Sequence, residues 1–81
     1  MIQVLYFARF KEVFGVAQER LPSFDTTDAL LKYLIDRGDV WAAELDASRS
    51  WRMAVNQQVV HGCAALADGD EVAIFPPVTG G

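Results

Sequence analysis

The sequence ends in Pro76-Pro77-Val78-Thr79-Gly80-Gly81, and the carboxylate of Gly81 is the group in this chain best suited to chemistry. Two prolines stop a β-ladder and hold the backbone extended, while two glycines leave the tip without Cβ atoms. At about 3.3 Å per residue, six extended residues reach roughly 20 Å beyond a fold. Such a tip can thread a narrow tunnel in a partner enzyme and bring its carboxylate to the α-phosphate of ATP. Attack there forms an acyl-adenylate, whose AMP is a good leaving group that sulfur can replace. The bland alternative is a frayed, glycine-rich terminus without function, which is common at chain ends.

Other reactive side chains offer less. His61 and Cys63 are the only histidine and cysteine, so they supply two ligands where a zinc site needs four, and no metal site is expected. A lone cysteine is most often a small buried hydrophobe, and Cys63 is expected to be one. Asp68, Asp70 and Glu71 stand too close together, and supply too few oxygens, to form a calcium loop. A turn carrying solvated charges is expected there.

The chain has 81 residues, of which 52% are hydrophobic and 22% charged. With about 100–200 residues per typical domain, one domain is the expectation. A domain of this size buries about 60–65% of the surface its unfolded chain exposes, too little to enclose a large active site of its own. No apolar run approaches the roughly 18 residues of a membrane span, so a soluble protein without a membrane partner is expected. The formal charge is −4, and the seven basic residues form no cluster in sequence. Phosphate backbones are bound by clustered lysine and arginine, so nucleic acid is not an expected partner. The start, Met1-Ile2-Gln3-Val4, lacks the features of a signal peptide. With no disulfide framework, a cytoplasmic chain is expected.

The remaining elements must position that tail. Ile2–Phe7 is β-branched and aromatic and reads as a strand with faces Ile2/Val4/Tyr6 and Gln3/Leu5/Phe7. The Gln3 face is expected outside, which leaves Leu5 and Phe7 partly exposed. One or two helical turns are expected over Ala8–Phe14, closed by Gly15, and a second strand near Gln18–Pro22. The clearest helix starts at Asp25 or Thr26 and stops at Gly38, with Leu30/Leu34 and Leu31/Ile35 forming an apolar stripe. A short helical turn around Val40–Leu45 packs Trp41 and Leu45, and Trp41 and Trp51 are expected as packing anchors. Strands follow at Trp51–Asn56, at Val59-Val60 after a polar turn, and at Glu71–Phe75 after the turn-forming Asp68-Gly69.

This order gives an α+β fold of the β-grasp type, a mixed sheet of four to five strands crossed by one main helix. Residues 1–75 are expected to form the domain and 76–81 a flexible tail. Alternation puts Phe7 and Phe75 on the face opposite Val4 and Ile74. With Val59 they form a candidate apolar docking patch beside the tail root, with Arg9 and Lys11 as possible rim charges.

The chain resembles the small, sulfur-carrying subunits of molybdopterin synthase, a ubiquitin-like β-grasp family. The resemblance spans nearly the whole chain, from Ile2–Ala8 through Ala54-Val55-Asn56-Gln57 to the last fourteen residues, Asp68–Gly81. The ending Pro76-Pro77-Val78-Thr79-Gly80-Gly81 is its specific part; the thiazole-synthesis sulfur carrier is similar in fold and tail but lacks it. The resemblance implies that Gly81 is adenylated by a ubiquitin-activating-type enzyme using ATP and is then converted to a thiocarboxylate by a sulfur donor protein. Gly80 and the segment Pro76–Thr79 would thread into the large synthase subunit. There the sulfur passes to cyclic pyranopterin monophosphate, two deliveries making the molybdopterin dithiolene. It further implies a non-catalytic, sulfur-donating subunit with no cofactor of its own. The alternatives are a sulfur carrier for thiazole or tRNA thiolation, which would not form a tight complex with a large synthase subunit, and a ubiquitin-like interaction domain. The last would show amide conjugates of Gly81 or binding that survives loss of the tail.

Overall fold

The computed structural model describes residues 1–77, and Val78, Thr79, Gly80 and Gly81 lie outside the described residues. Five strands and three helices follow in the order β1 (Ile2–Tyr6), α1 (Arg9–Phe14), β2 (Gln18–Leu21), α2 (Thr27–Ile35), α3 (Asp39–Glu44), β3 (Arg52–Val55), β4 (Gln58–Val60) and β5 (Glu71–Phe75). They build a mixed sheet of order β2-β1-β5-β3-β4. β1 and β5 are parallel, and the other neighbours are antiparallel. This is the expected α+β, β-grasp arrangement.

Strict alternation decides which side of the sheet is covered. Ile2, Val4 and Tyr6 of β1 and Val72 and Ile74 of β5 are at most 1% exposed, while the residues between them are partly exposed. The buried set packs against Leu30 and Leu34 of α2, Phe10 of α1, and Leu45 just after α3. Burial of each such side chain contributes about 1.5–3 kcal/mol. α2 begins where Thr26, in extended backbone, accepts a hydrogen bond from Ala29 N–H at 3.2 Å. Its neighbour Thr27 is buried, and the Thr27 hydroxyl accepts from Ala64 N–H at 2.9 Å, tying the stretch before β5 to the helix start. Leu34 and Ile35 carbonyls then accept from Arg37 and Gly38 N–H groups, and Gly38 at φ 78° turns the chain into α3.

Trp41 stacks on Phe14 at 3.8 Å between centroids, with planes 7° apart, and meets Tyr6 edge-on at 5.4 Å. Trp41 is thus an anchor under α1 and α3, as expected. Trp51, partly buried, packs against the core from the other side, its indole N–H 3.3 Å from the Asp46 carbonyl.

Beside these rings lies an ionic bridge. Arg37 grips Glu19 with two bonds of 2.8 and 2.9 Å, and Tyr6 donates its hydroxyl to the same carboxylate at 2.6 Å. The guanidinium also lies 4.4 Å from the Trp41 ring centroid. The Arg37 bonds, assisted by that of Tyr6, hold the Glu19 carboxyl below its ordinary value against the opposing effect of burial. Burial, with the bond to Glu19, pushes the Tyr6 hydroxyl far up. One carboxylate therefore joins β1, β2 and the end of α2.

The β3–β4 hairpin closes on Asn56 and Gln57, with φ of 50° and 70°. Two residues at positive φ are what a two-residue turn with the sheet's own twist requires, and Gln lacks glycine's freedom there. Asn56 compensates by donating to Asp70 and accepting from Glu71 N–H, both at 3.0 Å.

Two stability outcomes follow from these features. Gln57→Gly should raise the unfolding free energy by about 0.5–1 kcal/mol, read from urea titration. Because the folded Glu19 pKa is depressed, its contribution is full above the unfolded value, near 4.3, and is lost as pH falls through the folded value. The native chain should therefore lose more stability between neutral pH and about pH 3 than Glu19→Gln does, while at neutral pH the variant is weaker by about 1.5–3 kcal/mol.

Candidate functional site

β5 sits in the middle of the sheet, flanked by β1 and β3, and ends at Phe75, where Pro76 and Pro77 follow. The hydrogen bond from Phe7 N–H to the Ile74 carbonyl, 3.1 Å, carries the parallel β1–β5 ladder one step past Tyr6 and brings Phe7 level with Phe75. Arg52 is the register partner of Phe75 on the other side. The next outward-facing row along the strands is Leu5, Ala73, Ala54 and Val59, each the register partner of the one before. At about 4.8 Å per strand, that row spans roughly 14 Å.

The outer face is thus apolar and low in relief at its centre. Phe7 and Val59 are 49% and 51% exposed, Phe75 and Leu5 are half-buried, and Ala54 is buried between its larger neighbours. Phe7 and Phe75 lie on this face, as alternation predicts, and Val59 lies on it as the register partner of Ala54. Sequence reasoning missed Ala54 and Ala73, whose small side chains floor the patch, and Arg52, which borders it. Their signal was available only in the strand register. Directly after Phe7, Ala8 takes φ 53° and ψ −127°, a costly conformation for a residue with a Cβ. It turns the chain off the sheet into α1, and Phe7 is left standing.

The remaining candidates are placed as follows. Gly81, Gly80, Val78 and Thr79 lie outside the described residues, while Pro76 and Pro77 extend β5 beyond its ladder and are half-buried. Cys63 is exposed, contrary to the expectation that it is buried: it sits after Gly62 at φ 78°, in a segment that runs over the surface before rejoining α2 at Ala64. Asp68 and Asp70 are more than solvated charges. Asp68 accepts from the N-terminal amine and from Ser23, and Asp70 from Ala67 N–H and Asn56, and these bonds hold both carboxyls below their ordinary values. They build the turn entering β5, at the end of the sheet opposite the tail root. Arg9 spans Glu44, at 3.2 Å, and the Ser50 carbonyl, at 2.9 Å, which makes it a tie between α1 and the approach to β3. Among the described residues no group of three His, Cys, Asp or Glu side chains could hold a metal ion, and no helix is long and apolar enough to cross a membrane. A groove of about 340 Å³ opens on the helix-covered side at the start of α2, lined by Thr27, Leu31, Trp51, Met53, Val60 and His61 among others.

The groups with displaced titration, Tyr6, Glu19, Arg37, Asp46, Asp68 and Asp70, all serve the framework and none points at the tail root. What this geometry offers chemically is a rigid post for a C-terminal segment beside an apolar face.

A family model described as the ThiS family matches residues 4–81. The molybdopterin synthase sulfur carrier subunit of Escherichia coli (strain K12) is 45% identical over 82 residues, with the whole of both chains covered. The chain belongs to the ThiS family, among its molybdopterin synthase sulfur carrier subunits. The protein of the same description from Haemophilus influenzae is 40% identical over 82 residues, again across both whole chains. A solved structure from Pyrococcus furiosus, of a molybdopterin converting factor, subunit 1, matches with a TM-score of 0.77 at 33% identity, covering 95% of this chain and 97% of that one. The role of this type of subunit is non-catalytic sulfur carriage.

The two faces of the sheet should respond differently to substitution. Phe7→Ser and Val59→Ser should each stay within about 0.5 kcal/mol of the native stability, whereas Ile74→Ala should cost about 2–5 kcal/mol, all read from denaturant midpoints.

Proposed function

We propose that this ThiS-family sulfur carrier works through its Gly81 carboxylate, alternately loaded with sulfur by an adenylating enzyme and unloaded in the large subunit of molybdopterin synthase. The observation that carries this reading is the central position of β5, paired in parallel with β1, which is followed in sequence by Pro76-Pro77-Val78-Thr79-Gly80-Gly81. Residues 1–75 act as the folded body and 76–81 as the delivered segment. Phe7, Val59 and Phe75 form the docking patch, and Pro76, Pro77, Val78 and Thr79 line the entry to the partner's tunnel. Gly80 passes its narrowest part.

The steps balance as acyl transfers. A Gly81 carboxylate oxygen attacks the α-phosphorus of ATP bound by a ubiquitin-activating-type partner, pyrophosphate leaves, and an acyl-adenylate results. A donor protein's persulfide attacks the acyl carbon through its outer sulfur and AMP leaves; a thiol then attacks the donor's own sulfur in the resulting acyl disulfide, forms a disulfide with it, and releases the thiocarboxylate. Its sulfur is softer and more nucleophilic than carboxylate oxygen, so the carrier needs no cysteine of its own. In the large subunit the sulfur passes to cyclic pyranopterin monophosphate, and water restores the carboxylate. Two deliveries complete the dithiolene. ATP belongs to the adenylating partner, and the work takes place in the cytoplasm.

Because the same tail must serve two enzymes, one apolar face is used in turn by both, and loading and unloading exclude each other. Reconstitution with the large subunit, the adenylating enzyme, ATP and a sulfur donor should form molybdopterin. Deleting Gly81 should abolish it without changing the fold seen by circular dichroism. Molybdopterin formation undiminished by the deletion would refute the proposal.

A further inference from the structure

Of the seven basic side chains, Arg9, Lys32, Arg37 and Arg49 hold carboxylates at 2.8–3.2 Å. Among the described residues Lys11, Arg20 and Arg52 hold none, and Arg52 stands beside Phe75 in the sheet. Its strand position is outward as the register partner of Phe75, it is exposed and also lines the groove beside Trp51 and His61, and its one hydrogen bond to a described residue, 3.1 Å, goes to the carbonyl of its neighbour Trp51. Arg20 shares the outer face but lies level with Gln3 on the edge strand β2, toward the other end of the sheet.

A partner that covers Phe75 must also strip water from the Arg52 guanidinium. Taking an unpaired charge out of water is costly, and a carboxylate placed against it offsets that cost. The chain's charges are also divided along β5. Asp68, Asp70 and Glu71 stand at its start and Arg52 at its end, beside the tail root. In a molecule of net charge −4, this sets an orientation for approach, with the tail end leading toward an acidic surface.

We infer that Arg52 is a specificity-determining docking residue, pairing with a carboxylate that the large synthase subunit presents at the mouth of its tail tunnel. The inference rests on the docking face and partner set out under Proposed function. When extended, the four residues beyond Pro77 reach roughly 13 Å, which keeps a tunnel's mouth well apart from its end. An acidic mouth is therefore compatible with a tunnel end that binds an anionic, phosphate-bearing substrate. The pair adds direction and partner choice to an apolar contact that by itself discriminates poorly between surfaces of similar shape.

The test measures binding of the full-length chain to the purified large subunit by calorimetry at several salt concentrations. Native protein is compared with Arg52→Ala, Arg52→Glu, Arg20→Glu and Phe75→Asp. Arg52→Glu should weaken binding at least about tenfold and Arg52→Ala by less, with a shallower salt dependence in the alanine variant, while Arg20→Glu stays near native. Binding within twofold of native for both Arg52 variants, with Phe75→Asp abolished, overturns the role of Arg52 and leaves the docking face standing. An equal loss in Arg20→Glu also overturns it, because net charge alone then explains the effect. Native-like binding by Phe75→Asp removes the docking face itself, and the inference with it.

Discussion

The parallel pairing of β1 with β5 is the contact on which the rest of the structure depends. It joins the two ends of the chain in the middle of the sheet, with Val4 beside Val72 and Tyr6 beside Ile74, all at most 1% exposed. The turn before β5 is held to the same strand, since Gly69 N–H donates to the Met1 carbonyl at 2.8 Å and Asp68 takes the N-terminal amine. A tail attached to an edge strand could peel that strand away when a partner pulls on it. A tail continuing β5 is backed by ladders on both sides, the part of a sheet that opens last. The anchoring of the segment after Phe75 and the stability of the fold thus have one cause.

The same sheet separates two tasks by the parity of its residues. Inward positions carry Ile, Val, Leu, Met and Tyr against three helices, while outward positions around the tail root carry Phe7, Leu5, Ala73, Ala54 and Val59. A one-residue slip of β5 would exchange the two sets, so register protects the core and the apolar outer face together. The ionic bridge of Glu19, Arg37 and Tyr6 secures the β2 side of this arrangement, and the Asn56 bonds to Asp70 and Glu71 secure the β3 side. These ties leave the outward face around Phe75 apolar.

Much of this was legible in the sequence because its signals are local. The two-residue period of Ile2–Tyr6 and Glu71–Phe75 set the faces, and the Thr26 cap and Gly38 bounded α2 within a few residues. What escaped depends on contacts between distant segments. No period or composition pairs Arg52 with Phe75 or Ala54 with Val59, since those rows exist only once β3 has its register. Cys63 was misjudged because the general preference of cysteine for burial says nothing about a segment that Gly62 carries over the surface. Glu19 gave no signal either: it reads as one more exposed charge on a strand until Arg37, eighteen residues later, is brought back against it.

The central claim, that Gly81 carries sulfur as a thiocarboxylate, is tested most directly by intact-protein mass spectrometry after incubation with ATP, the adenylating enzyme and a sulfur donor. The account predicts a single product in which one terminal oxygen is replaced by sulfur, and fragmentation that places the change on Gly81. An unmodified chain under conditions that load a known carrier, or sulfur found on Cys63 instead, would contradict it.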